Sequence, residues 1–219
     1  MTRFIVVRHG ETRWNLEERI QGHGDSGLTE LGLAQAHAIA RRLAGERFDR
    51  LVSSDLGRAL QTAACIASRT GHAVVPDPRF RERSFGVAEG CTYAEMDLQF
   101  PHVFAHHRAT DPDFRVPGGE TRRELYERVH AGFEALARAH PGESIAVVCH
   151  GGVLGALYRR VHGIDPSVQA RIPIPNASYN RVSFEEDRWS LEVWADTAHL
   201  ADIGGDGAAS RGSALARMS

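Results

Sequence analysis

Two histidines in this sequence each follow an apolar run and precede a glycine. FIVV (4–7) leads into Arg8, His9 and Gly10, and IAVVC (145–149) leads into His150, Gly151 and Gly152. A neutral imidazole, with an ordinary pKa of about 6.5, carries a free lone pair near neutral pH and can act as a nucleophile. Directed at phosphorus, it would form a phosphohistidine. Arg8 adds a planar cation that can hold two oxygens of one phosphoryl group. The glycines let the backbone turn and approach a bound group, and Gly151 opens a predicted helix whose N-terminus suits an anion.

Phosphoryl transfer asks for further positive charge and for a proton donor to the leaving oxygen. SSDLGRALQTA (53–63) supplies Arg58, and RFRERSFGVAEG (79–90) supplies Glu82. Each of these residues also has an ordinary reading. Arg8, His9 and His150 would cap strand ends, Arg58 would pair with Asp55 on a wet helix face, and Glu82 would be a solvated carboxylate beside Arg81 and Arg83. The repetition of strand, histidine and glycine favours a site for Arg8, His9 and His150, while Arg58 and Glu82, taken alone, keep both readings.

The elements that must position these groups are legible from patterning. The runs at 4–7 and 145–149 are continuously apolar, as in strands of a parallel sheet covered on both faces. Between them the spacing predicts helices at 28–45 and 55–71 and strands at 49–54 and 72–76. A long helix is expected over 121–140, another over 152–163, and strands at 178–184 and 189–195. The predicted fold is an α/β three-layer sandwich, a mostly parallel central sheet flanked by helices. A small irregular cap insertion, broken by Pro101, Pro112 and Pro117, is expected over about 84–119. In such sheets ligands bind beyond the carboxyl ends of the strands, where His9 and His150 would both lie.

At 219 residues, 42% hydrophobic and 25% charged, the chain suits one folded domain over 1–200 with a small, polar and disordered tail over 201–219. No apolar stretch approaches the roughly 18 residues of a membrane span, and no signal sequence is visible, so a cytoplasmic protein is expected. Cys65, Cys91 and Cys149 are odd in number and widely separated, which fits neither a disulfide framework nor a metal site. Cys149 reads as core. His102 and His106 are four apart on a predicted helix but lack a third ligand, so no metal is expected. A net charge of −2 gives no general attraction to nucleic acid. The expected partner is a small phosphorylated metabolite, with neither nucleic acid nor membrane; a homodimer is allowed.

Five motifs, in order, carry a resemblance: RHGET with Asn15, SSDLGRALQTA, RERSFGVAEG, GGE (118–120) ahead of a helix, and VCHGG (148–152). Over about residues 3–200 the chain resembles the histidine phosphatase superfamily, the phosphoglycerate mutase-like proteins. The resemblance implies that His9 is the nucleophile, that Arg8, Arg58 and His150 bind the phosphoryl group, and that Glu82 protonates the leaving oxygen. It also implies a phosphate pocket lined by Asn15, Gln21, Gly22 and Gly151, with no cofactor.

The short insert holds only Arg108 and Arg115 as basic residues, and HGG stands where mutases carry HGN. Both features resemble the phosphatase branch, which implies metal-independent hydrolysis of small phosphomonoesters. Mutase-type phosphoryl transfer is the first alternative, and a catalytically silent binding module is the second. NASYN (176–180) and DTAHL (196–200) resemble a C-terminal region that closes over the site in metal-independent phosphoserine phosphatases, which would bring His199 to the substrate.

Overall fold

Strand β1 (Thr2–Arg8) is buried along almost its whole length, and its alternate residues feed two separate cores. The computed structural model describes residues 1–108 and 111–203. Phe4 and Val6 point to one side with Val129, Phe133, Leu154 and Leu157. Ile5 and Val7 point to the other with Ile39, Leu43, Ala59 and Ile66. Burying a side chain of this kind contributes roughly 1.5–3 kcal/mol, and both faces of the strand collect it. That two-sided demand produces the unbroken apolar run.

Along the chain, β1 is followed by a single turn of helix α1 (Arg13–Leu16), then α2 (Glu30–Leu43), β2 (Arg50–Ser53), α3 (Gly57–Thr70) and β3 (Val74–Pro76). The cap contributes α4 (Tyr93–Gln99) and α5 (Pro101–Arg108). After it come α6 (Arg122–Ala139), β4 (Ser144–Cys149), α7 (Gly151–His162), β5 (Tyr179–Glu185) and β6 (Arg188–Asp196). The six strands form one sheet in the order β3-β2-β4-β1-β5-β6. β1 to β4 run parallel, while β5 and β6 add antiparallel strands at one edge. The α/β architecture matches the expectation, and the predicted elements appear within a few residues of their expected bounds.

Register is what matters for the site. Arg8 stands opposite Cys149 across the parallel β1–β4 pair, and Ser53 opposite Val148 across β2–β4. The ladder continues one step further, with His9 N–H donating to Cys149 O at 3.0 Å and Ser54 N–H to Val148 O at 2.9 Å. His9, Ser54 and His150 therefore emerge side by side at the carboxyl end of the sheet.

The cap is more regular than its prolines suggest. Pro101 is the first residue of α5, where a missing N–H is no loss, and Thr92 starts α4 with a capping box to Glu95. Ile20, Ala88, Met96, Val103, Phe104 and Val116 give this region its own small apolar core. Thr121 and Glu124 cap α6 in the same reciprocal manner. Residues 204–219 of the tail expected to be disordered lie outside the described residues. Among the described residues, no helix is long and apolar enough to cross a membrane.

Candidate active site

His9 is 2% exposed, and its Nδ1–H donates to its neighbour's carbonyl, Gly10 O, at 2.7 Å. That bond fixes the tautomer and leaves the lone pair on Nε2. Burial, reinforced by the charges of Arg58 and Arg8, holds the imidazole pKa well below its ordinary value. A nucleophile needs that neutral form. The backbone is pinned as well: His9 O accepts from Ala177 N–H at 3.2 Å and from Asn176 Nδ2 at 3.1 Å.

The His150 ring lies 5.2 Å from that of His9, and its Nε2 is 2.8 Å from Ser54 Oγ. Ser54 Oγ also accepts from Leu56 N–H at 3.3 Å, which holds the hydroxyl beside the His150 ring. Arg8 and Arg58 are 7% and 1% exposed. Arg8 Nη1 donates to Ile174 O at 2.6 Å, and Arg58 donates through Nη2 to Gly22 O at 2.8 Å and through Nη1 to Gly24 O at 2.9 Å. Burial lowers both guanidinium pKa values, that of Arg8 to about 10 with Glu82 opposing, so both stay charged at neutral pH.

Three buried nitrogens here, Arg8 Nε, Arg58 Nε and His150 Nδ1, have no hydrogen-bond partner within the protein. An unsatisfied buried polar group costs about 1–3 kcal/mol, so three on side chains that neighbour His9 mark a candidate place for an anion.

Glu82 approaches from the far side of the α7 N-terminus. Its Oε2 accepts from Gly152 N–H at 2.9 Å and its Oε1 from Arg83 N–H at 2.8 Å. A β-carbon at Gly152 would fall 2.0 Å from Glu82 Oε1, so the second glycine of HGG leaves the room in which this carboxyl sits. A β-carbon at Gly151 would stand 3.8 Å from both the Arg8 guanidinium and Glu82 Oε2, which places Gly151 between the cation and the acid.

Asn15 Oδ1 accepts from Thr12 N–H at 3.1 Å and from Asn176 Nδ2 at 3.3 Å, and Gln21 Oε1 accepts from Thr12 Oγ at 3.0 Å. Asn15 lies in the single turn of α1 and Gln21 in the loop after it, both joined through Thr12. Gly22 has φ 53°, a left-handed backbone that favours glycine, and its carbonyl serves Arg58.

Two readings need correction, the ordinary pairing of Arg58 with Asp55 and the reach of His199 to substrate. Arg58 does not pair with Asp55; it faces Asp25 at 3.4 Å, while Asp55 receives Arg81 at 2.5 Å. His199 does not open toward the pocket, because its ring nitrogens meet Ala177 O and Arg42. Cys149 is fully buried and its thiol pKa is pushed up by burial, in keeping with a core role. His106 stacks on Phe114 at 4.0 Å, and the described residues contain no cluster of metal-ligand type.

Glu89 was not singled out from the sequence. Its carboxylate accepts from His23 N–H at 3.0 Å, Gly24 N–H at 2.9 Å, Phe85 N–H at 2.9 Å and Ser84 Oγ at 3.2 Å. It thereby ties the loop that holds Arg58 to the strand-end segment that carries Glu82. Its place inside RERSFGVAEG was the available signal.

The profile of the histidine phosphatase superfamily (branch 1) matches residues 4–197. The chain belongs to this superfamily. A relative from Arabidopsis thaliana named phosphoglycerate mutase-like protein 4 is 39% identical over 204 residues, 91% of this chain and 87% of that protein. A solved mycobacterial glucosyl-3-phosphoglycerate phosphatase complexed with VO3 superposes with a TM-score of 0.78 at 33% identity, covering 89% of this chain and 99% of its own. Bacillus stearothermophilus YhfR superposes with a TM-score of 0.82 at 28% identity, covering 91% and 100%. This member of the superfamily thus resembles proteins named for both phosphatase and mutase chemistry.

Proposed function

We propose that the protein hydrolyses small phosphomonoesters through a covalent phosphohistidine, with no metal in the reaction. The observation that carries the reading is that Arg8 Nε, Arg58 Nε and His150 Nδ1, all buried and unpartnered, belong to side chains that neighbour a neutral His9 whose lone pair is on Nε2. The Arg8 and Arg58 guanidiniums, with His150, hold the non-bridging oxygens of a phosphoryl group and stabilise the charge that builds on them.

In the first step His9 Nε2 attacks phosphorus, a P–N bond forms and the ester P–O bond breaks. The Glu82 carboxyl gives its proton to the departing oxygen. In the second step Glu82, now a carboxylate, takes a proton from water as that water attacks phosphorus, the P–N bond breaks, and inorganic phosphate leaves.

The phosphatase named among the structural relatives supports hydrolysis. The mutase-like name of the Arabidopsis relative favours a second reading, in which the phosphoryl group returns to another hydroxyl of a bound acid. Incubation with p-nitrophenyl phosphate in the presence of EDTA tests the main reading. Steady phosphate release, lost in His9→Ala, is expected; no turnover over a broad panel of phosphomonoesters would point to a silent binding module. Including 3-phosphoglycerate in the panel, with product analysis, separates hydrolysis from transfer.

A further inference from the structure

The chain beyond β6 returns to the back of the site. His199, in the short turn Ala198–Leu200, has Nε2 3.0 Å from Ala177 O and Nδ1 3.2 Å from Arg42 Nη1. A guanidinium can only donate, so Nδ1 is the accepting nitrogen and Nε2–H donates to the Ala177 carbonyl. Ala177 passes the restraint on, since its N–H is 3.2 Å from His9 O. Asn176 Nδ2 meets the same oxygen at 3.1 Å, and Ile174 O receives Arg8 Nη1 at 2.6 Å. The segment 174–177 thus holds both the backbone of the nucleophile and the guanidinium beside it.

That segment needs holding. Ala177 is fully buried with φ 53°, a left-handed conformation that an alanine keeps only when its surroundings impose it. His199 is itself fixed from both sides. Asp196 accepts from Ala198 N–H at 2.8 Å and from Arg42 Nη2 at 2.7 Å, and the Arg42 guanidinium lies 3.7 Å over the Tyr179 ring.

We infer that His199 is a positioning residue for phosphoryl transfer: through its hydrogen bond to Ala177 O it keeps segment 174–177 in the conformation that presents His9 and Arg8 to the phosphoryl group, without touching substrate. The inference rests on the phosphatase reading above, and it assigns to the C-terminal segment a part in the chemistry that lies outside the pocket.

The test compares His199→Leu, which keeps bulk and removes both hydrogen bonds, with His199→Gln, whose amide can donate to Ala177 O and accept from Arg42. Displacements of about 1 Å near reacting atoms cost up to about a hundredfold in rate. His199→Leu should therefore lower kcat on p-nitrophenyl phosphate by about tenfold or more and weaken inorganic phosphate binding by calorimetry. His199→Gln should stay within about threefold of wild type on both measures. Wild-type kcat and phosphate affinity in a folded His199→Leu would overturn the inference, as would a His199→Gln variant as impaired as His199→Leu. Nitrogen-15 NMR of the unmodified protein supplies a check independent of variant folding: the Nε2–H tautomer of His199 is expected, and the Nδ1–H tautomer would reject the contact. A wild-type protein that binds phosphate but hydrolyses nothing would sink the phosphatase reading alone, with phosphate affinity still judging His199. Normal turnover that ignores His199→Leu would sink only the positioning role.

Discussion

His9 and His150 leave adjacent parallel strands in register, and their rings meet 5.2 Å apart with the Arg8 and Arg58 guanidiniums beside them. Burial, with these cations, holds both imidazole pKa values well below the ordinary one. The consequence for stability has a definite sign. Once the pH falls below about 6.5 the unfolded chain binds protons that the folded chain refuses, so stability falls as the pH falls toward the folded values. Each such imidazole contributes up to about 1.4 kcal/mol per pH unit over that window. His107, held at about 4 chiefly by burial, adds to the same slope. Urea unfolding from pH 7.5 to 5 should show a steep loss, flattened in His150→Ala.

Glu82→Gln should damage the enzyme in proportion to how badly the leaving group needs a proton. For an alkyl phosphate the loss in kcat is expected to reach about a hundredfold or more, and for p-nitrophenyl phosphate, whose phenolate leaves readily, it should be much smaller. Equal losses on both substrates would remove Glu82 from the role of proton donor.

At Gly152 the hypothetical β-carbon lies 2.0 Å from Glu82 Oε1. Gly152→Ala should fold, at a cost of about 1–3 kcal/mol for the overpacking, but displace the carboxyl. Its kcat should fall with the same leaving-group dependence as Glu82→Gln, while phosphate binding changes little. Thermal unfolding and paired kinetics on two substrates check this.

Glu89 gathers three backbone amides and a hydroxyl on one carboxylate. Glu89→Ala should cost about 2–3 kcal/mol and raise KM for every phosphomonoester, because the Gly22–Gly24 carbonyls that seat Arg58 lose their anchor. Glu89→Gln, with one acceptor oxygen in place of two, should fall between. Chemical denaturation gives the first quantity and steady-state kinetics the second.

The sheet and its chemistry were readable because one physical demand wrote both. Strands covered on two faces must be apolar throughout, so the polar residues that end them, Arg8, His9 and His150, stand out. Arg58 and Glu82 were found by motif rather than by pattern, and in isolation each had a plausible solvated reading. Asp55 beside Arg58 in sequence proved to be the partner of Arg81, since the turn into α3 sends the arginine inward to Gly22 and Gly24. Glu89, Ser54 and Asn176 act on neighbours through backbone amides, a hydroxyl and a carbonyl, contacts that leave no periodic trace in the sequence. Asn176 lies 167 positions from the His9 carbonyl it binds, a distance no local pattern spans. Pro101 interrupts the helical pattern of the sequence because proline breaks a helix interior, yet its fixed φ suits a first position and here it begins α5.

The small core beneath α4 and α5, built on Met96, Val103, Phe104 and Val116, is separate from the two cores that clasp the sheet. Substitutions within this small core therefore act first on the packing of α4 and α5 rather than on the cores around the strands that carry His9 and His150. A change there reaches the reacting groups mainly through Glu89, the carboxylate that couples this segment to the loop seating Arg58.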